Sequence, residues 1–276
     1  MTAYHLEDTL LKLDDISLSF GKKLVLRDIN LEVKNIVSSE TTKGQVITLL
    51  GRSGVGKTQL MRIIAGLLKP STGQVLVGLD QHPVEPGQVG MVLQNYPLFA
   101  HRTLLSNLQL ICSDKAKINS YLEDFDLIEH RDKYPSQMSG GQRQRTAVVQ
   151  QLLCSDHFIL LDEPFSGLDP VATEKLCKNI TKVVNSDDAN TAILSSHVLE
   201  PSLAISDMVI MLGNDYTTDL PSHGMLSLEP VKLDNGATIK YQYDLAANGL
   251  AWNPEIRKDP KFTELLEQIR TIFQTL

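Results

Sequence analysis

No apolar run in this 276-residue sequence approaches the ~20 residues that a bilayer-spanning helix needs. The expectation is a chain that reaches a membrane only by docking to another protein. The first residues, Met1 to Asp8, lack the basic-then-apolar form of a secretory signal, so the sequence predicts a cytoplasmic location. Long basic runs are also missing and the formal net charge is −7, which argues against a nucleic-acid backbone as the main partner. Cysteine is scarce: Cys112, Cys154 and Cys177 stand far apart with no CxxC spacing, and read as small core residues in a reducing compartment. No heptad insert or zinc spacing occurs either. What remains is a globular chain, long enough for one large domain or for a domain with an attached subdomain.

Against that background Gly51-Arg52-Ser53-Gly54-Val55-Gly56-Lys57-Thr58 has the full spacing of a phosphate-binding loop. Glycines let successive backbone N–H groups turn inward around anionic oxygens, and the helix start that follows adds its positive dipole end. Lys57 supplies a cation and Thr58 a magnesium-binding hydroxyl. The flanks fit: Val46 to Leu50 reads as a buried parallel strand, and Leu60 to Leu68 as a helix stopped by Lys69-Pro70. Free nucleotide is compatible with an acidic chain, because backbone amides and one lysine suffice for a triphosphate.

Upstream, Leu11 to Phe20 and Leu24 to Val33 alternate apolar and polar residues around Gly21-Lys22-Lys23, predicting an antiparallel pair with one buried face. Phe20, ending the first strand, is either a ring that stacks on a base or a core aromatic. Asn35 to Lys43 is polar and reads as an exposed loop. Downstream, Gly73 to Val77 and Val89 to Leu93 are strand-like, Gln94 follows, and Thr103 to Ile128 is helical in pattern. Ser139 and Gln142 have capping-box spacing before the segment Ala147 to Leu153, which is either a second anion site or an ordinary capped helix. Phe158 to Leu161 is a buried-strand run ending in Asp162-Glu163, where α/β sheets place ligands; a solvated acidic pair is the plainer alternative. Asp169 and Pro170 have the chemistry of an N-cap and first helical residue. His197, after the strand Thr191 to Ser195, is either structural or a phosphate donor. Met208 to Leu212 reads as the last core strand, Ile239 to Tyr243 as an exposed strand, and Asp259 to Gln274 as an amphipathic helix whose apolar stripe needs a partner, most simply this chain's own core.

These pieces in this order resemble the nucleotide-binding subunit of an ATP-binding cassette transporter, over about Leu11 to Leu212. The likeness rests on the phosphate loop, a Q-loop at Gln94, a signature at Met138-Ser139-Gly140-Gly141-Gln142, a Walker B strand ending at Asp162-Glu163, a D-loop at Ser166 to Asp169 and a switch at His197. It implies an α/β P-loop NTPase of ABC type, with a mixed sheet core, flanking helices, an antiparallel β subdomain, a helical subdomain and a short C-terminal extension. The corresponding bounds are 1–94 with 155–213 for the core, 95–154 for the helical part and 214–276 for the extension. The implied cofactors are ATP and Mg2+. Gly51, Arg52, Ser53, Gly54, Val55, Gly56, Lys57, Thr58 and Gln59 would hold the nucleotide, with Phe20 on the adenine in place of the commoner Tyr. Thr58, Gln94 and Asp162 would serve the metal, Glu163 would be the general base, and His197 the γ-phosphate contact. Ser139, Gly140, Gly141 and Gln142 would act in trans, on the nucleotide of a second copy.

The resemblance further implies a head-to-tail homodimer at the cytoplasmic face of the inner membrane. Residues 96–106 would meet two integral membrane permease subunits, a solute-binding protein would act indirectly, and nucleic acid would have no part. Asn95 to Leu104 resembles importer subunits, and the tail from Asp259 resembles the nitrate, sulfonate and taurine uptake group. Two other functions compete: a soluble ABC-type clamp for assembly or repair, which no coiled-coil insert or basic stripe supports, and a P-loop kinase, which the signature segment disfavours.

Overall fold

The computed structural model describes residues 4–38, 43–92, 98–154, 158–185, 190–214, 236–251, 253 and 255–275. In chain order the elements are Tyr4–Phe20 (β1), Lys23–Ser38 (β2), Gln45–Leu50 (β3), Lys57–Ile64 (α1), Thr72–Val77 (β4), His82–Pro83 (β5), Gly90–Val92 (β6), Leu104–Leu108 (α2), Lys115–Asp124 (α3) and Gly140–Cys154 (α4). They continue with Phe158–Asp162 (β7), Pro170–Val184 (α5), Thr191–Ser196 (β8), Leu199–Ala204 (α6), Met208–Gly213 (β9), Thr238–Asp244 (β10) and Pro260–Thr275 (α7).

β1 and β2 form the expected antiparallel pair, joined by β4 and β5 in the order β2-β1-β4-β5. The register shifts between Leu13 and Ile16, where Asp15 adopts φ 53° and its N–H is taken by the Asn30 side chain at 2.9 Å. This bulge returns Ile16 to the buried face, so Leu11, Leu13, Ile16 and Leu18 share one core. β2 departs from expectation: it runs on to Ser38, pairing Ile36 with Leu6 and Val37 with His5, and Ile36 is 3% exposed. The β-branched pair Ile36-Val37 favours strand despite its polar surroundings; residues 39–42 of the expected loop lie outside the described residues.

The second sheet has the order β10-β9-β3-β8-β7-β6, parallel throughout except for β10. Both faces are covered, which is why its strands are apolar without alternation. Ile47, Leu49, Leu160, Ile193, Ile210 and Leu212 pack toward α1 and the antiparallel sheet. Val46, Ile159, Leu161, Ala192 and Leu194 pack with α2 to α5, and α2 and α3 supply the helices expected within Thr103 to Ile128.

β10 exists where a strand was expected but is not exposed: it adds to β9, and Tyr243 is buried. The cover is α7, whose Phe262, Leu265, Leu266 and Ile269 pack with Leu50, Leu203, Val209 and Met211. The amphipathic stripe thus meets this chain's own sheet. The cysteines correct expectation, since only Cys177 is buried; Cys112 is half-buried, and Cys154, ending α4, is exposed.

One buried carboxylate ties the base of the sheet together. Asp207 accepts the Val46 N–H at 2.7 Å, while its own N–H donates to the Val46 carbonyl at 2.8 Å. Burial pushes this carboxyl up to about 7, against the lowering effects of the Val46 N–H and of Lys43. Between its ordinary value of 3.8 and about 7 the folded chain holds a proton that the unfolded chain has lost, so this group's contribution to stability falls as pH rises through that window. Asp207→Asn keeps a carbonyl for Val46 and removes the titration. Its stability relative to the parent is expected to rise by about 1 kcal/mol per pH unit across that window, read from urea unfolding at a series of pH values. A parallel pair of curves would contradict this. For α7, Leu265→Ala is expected to cost about 2–5 kcal/mol in the same measurement, because the side chain is fully enclosed between helix and sheet.

Candidate active site

Because β3, β8 and β7 are parallel neighbours, the residues that follow them leave the sheet on one edge. Leu50 is paired with Ser196 and Asp162 with Ser195. Gly51, His197 and Glu163, each next in sequence, are thereby brought to the same place.

The phosphate loop leads directly into α1, whose N-cap, Gly56, makes no side-chain cap bond. Glycine offers no side chain to the N–H groups of the first turn, which point out of the helix start. Gly56 adopts φ 110°, and a methyl group there would lie 2.9 Å from Leu26 Cδ2. Gly51 is equally confined, since a methyl group would lie 2.8 Å from Val55 Cγ1 and 2.9 Å from the Leu212 carbonyl oxygen. Both positions require glycine, the first for backbone conformation and close approach, the second for close approach alone.

Lys57 is 6% exposed, and its ammonium is held by the carbonyls of Gly51 at 2.7 Å and Arg52 at 3.4 Å and by Glu163 Oε1 at 3.1 Å. Thr58 Oγ1 donates to Asp162 Oδ2 at 2.8 Å, and Ser195 Oγ donates to Asp162 Oδ1 at 2.6 Å. Ser195 Oγ also accepts the Glu163 N–H at 2.9 Å. Glu163 is a non-glycine residue at φ 52°, a conformation that costs on the order of 1 kcal/mol. The Ser195 hydroxyl and the Ser166 N–H, which donates to the Glu163 carbonyl at 3.1 Å, fasten it there. His197 Nδ1 lies 2.6 Å from Glu163 Oε2; a carboxylate only accepts, so Nδ1 carries the hydrogen and Nε2 is left for a second partner.

Lys57, Thr58, Asp162, Glu163 and His197 therefore form one continuous chain of contacts. Phe20 stands at the end of β1, two residues past Leu18, whose partner Leu26 abuts Gly56; it is 52% exposed, which removes the core reading of its ring. The signature segment takes no part in this contact chain among the described residues. Ser139 and Gln142 close the expected capping box, with Ser139 N–H to Gln142 Oε1 at 2.8 Å and Gln142 N–H to Ser139 Oγ at 3.2 Å. Asp169 caps α5 as expected, accepting the N–H groups of Val171 and Ala172, each at 2.9 Å. Gln94 lies outside the described residues, as do Tyr96 and Pro97.

Several residues in these contacts carried no sequence signal strong enough to single them out. Ser195 was legible only as the end of a strand; the hint is a polar pair, Ser195-Ser196, closing an otherwise apolar run. Gln144, buried on α4, donates to the Pro164 carbonyl just beyond Glu163. Asn107, fully buried on α2, clamps the loop before it by accepting the Phe99 N–H at 2.8 Å and donating to Arg102 and Thr103 carbonyls at 3.2 and 2.9 Å.

The donor set suits Mg2+: a hydroxyl and a buried carboxylate are hard oxygen ligands of the kind that cation shares with phosphate. Among the described residues no group of three or more His, Cys, Asp or Glu side chains is gathered for a metal.

The ABC transporter family matches residues 34–166. The chain is 34% identical over 239 residues to a spermidine/putrescine import ATP-binding protein of Spiroplasma citri, covering 83% of this chain and 66% of that one. It is 34% identical over 229 residues to a probable sulfate/thiosulfate import ATP-binding protein of Chlorella vulgaris, covering 79% of this chain and 93% of that one. An Fe(3+) ions import ATP-binding protein of Pectobacterium atrosepticum is 30% identical over 241 residues, at 83% and 66% coverage. Among solved structures, cbiO1 from Clostridium perfringens, part of the ABC transporter complex cbiONQ, superposes with a TM-score of 0.63 at 24% identity, covering 74% of this chain and 85% of that one. An ATP-binding subunit of an ABC transporter does so at 0.65 and 21% identity, with 92% and 99% covered. The two structures speak to the fold. The relatives' solutes differ from one another, and the nitrate, sulfonate and taurine grouping rests on the tail alone. With 34% identity across 93% of an import ATP-binding protein, and with this fold, the chain belongs to the ABC transporter family as an ATP-hydrolysing subunit of its importers.

Proposed function

We propose that the chain binds MgATP at Gly51–Thr58, pairs head to tail with a second ATP-binding subunit, and passes the closing motion to membrane permease subunits through residues 96–106. The observation that carries this reading is the contact chain from Lys57 through Glu163 to His197 beside the Thr58–Asp162 pair. Gln59 follows the loop at the start of α1, and Phe20 offers its exposed ring to the adenine.

The γ-phosphate would take the place of Glu163 at the Lys57 ammonium. Glu163 Oε2 stays held by His197, so Oε1, now paired with Lys57, becomes the atom available to a water. Oε1 accepts a proton as the water oxygen bonds to the γ-phosphorus and the bridging β–γ bond breaks, yielding ADP and phosphate. His197 can contact the transferred group through Nε2. Mg2+, held by Thr58, Asp162 and Gln94, would supply charge neutralisation on the phosphates.

Support for the dimer comes from Gly140 and Gly141. A methyl group at Gly140 would meet nothing within 4 Å, and one at Gly141 nothing nearer than Leu168 at 3.7 Å. Packing among the described residues does not require glycine at either position. The missing side chains leave the start of α4 open to a second copy's nucleotide, with Ser139 and Gln142 beside it. For the permease surface, Asn107 holds the half-exposed Phe99 in place, and its ring meets His101 edge-on at 5.9 Å. No helix among the described residues is long and apolar enough to cross a membrane. A peripheral place on the cytoplasmic face of the inner membrane, with a solute-binding protein acting from the far side, completes the reading.

Glu163→Gln tests it. The amide cannot take the water's proton but leaves the phosphate contacts intact, so turnover is expected to fall by about 10²–10⁴-fold while ATP binding persists. Size-exclusion chromatography with ATP should then show a trapped dimer. Normal turnover with an unchanged monomer peak would refute the assignment of Glu163.

A further inference from the structure

The C-terminal helix meets the strand end that feeds the phosphate loop, and the loop itself. Its apolar face encloses Leu50, the residue immediately before the loop. Its last turn meets Arg52, the second loop residue, whose guanidinium Nη2 donates to the main-chain carbonyl of Gln274. The final carbonyls of a helix have no partner within it and form its negative end, so a guanidinium is a suitable cap for them. The same arginine works inward with its main chain: its carbonyl accepts the Val55 N–H at 3.3 Å and the Lys57 ammonium at 3.4 Å. A residue that shapes the loop and steadies its lysine is therefore fastened from outside by a helix more than two hundred residues away.

A second brace reaches the loop's other limb. Ala237, just before β10, donates to the Val25 carbonyl at 3.0 Å and accepts the Arg27 N–H at 2.8 Å. Val25 and Leu26 are the side chains against which Gly56 lies. Segments from both ends of the region beyond β9 thus support opposite ends of Gly51–Gly56.

We infer that Arg52 is a positioning residue through which the end of α7 holds the phosphate loop ready for ATP. A loop whose conformation is already fixed loses less freedom when the phosphates bind, so the tether raises affinity. The inference rests on the ATP site proposed above. It does not require Arg52 to touch the nucleotide.

The experiment is ATP titration of the full chain and of a chain ending at Phe273, which lacks the Gln274 carbonyl but keeps the apolar stripe of α7. Truncation is expected to raise Kd and KM for ATP by about 3- to 10-fold, the size of one modest hydrogen bond, with kcat and the melting temperature little changed. Arg52→Ala should reproduce the rise in Kd, and the double variant should add nothing to either change. Arg52→Lys should recover much of the affinity in the full chain and none in the truncated one. An unchanged Kd on truncation, or changes that multiply in the double variant, would overturn the tether. A rise with Arg52→Ala but not with truncation would mean that Arg52 meets ATP itself, and would overturn it too. Lys57→Ala should lose ATP binding in the same titration; retention would overturn the site reading instead.

Discussion

A buried ammonium is the constraint on which this structure turns. Lys57 sits at the start of α1 beneath the loop, where an unpaired cation would be costly. The chain answers with two main-chain carbonyls and the Glu163 carboxylate. Each answer shapes something larger. The carbonyls of Gly51 and Arg52 are available only because the loop turns tightly over α1, which in turn needs glycine against Leu26 and Leu212. The carboxylate is available only because Glu163 accepts a left-handed backbone beside β8, fastened by Ser195.

Parallel pairing converts this local requirement into the candidate active site. β3, β8 and β7 end together, so the cation, the serine that braces the acid and the acid itself arrive from three distant parts of the sequence. Ser195 occupies the central strand and serves both acids, donating to Asp162 and accepting from the Glu163 main chain. A single hydroxyl thus fixes the spacing between the residue that would hold the metal and the residue that would take the proton. Neither acid is left to find its position by rotamer choice alone.

Motifs made of consecutive residues were legible in the sequence, because their chemistry is local. The phosphate loop, the Asp162-Glu163 pair, the Ser139–Gln142 cap and the Asp169-Pro170 helix start each need only neighbours a few residues away. Contacts between segments remote in sequence were not legible. Ser195 reads as strand until the register places it opposite Asp162; Asn107 reads as a polar residue on a short helix until the loop it clamps is in view. Asp207 gives no sign of burial, since its partner is a backbone amide in β3, remote in sequence. The end of β2 was missed for a different reason: two β-branched residues among polar ones carry too little periodicity to outweigh their surroundings, yet pairing with β1 suffices to order them. The apolar stripe of α7 announced that it needed a partner, but nothing in it pointed to Arg52.

These non-local contacts also connect the two halves of the proposed interface. Gln144, one turn inside α4, is bonded to the Pro164 carbonyl, one residue after Glu163, and Gln151 on the same helix accepts the Met91 N–H of β6 at 3.2 Å. The helix that would meet the second copy's nucleotide at its open start is therefore tied along its length to the strand edge and to the backbone following the base. On the proposed reading, a shift of α4 as it engages the other nucleotide bears on the Pro164 carbonyl through Gln144, and Pro164 is the residue bonded in sequence to Glu163. Closure of one site would thus reach the base of the other through a buried amide.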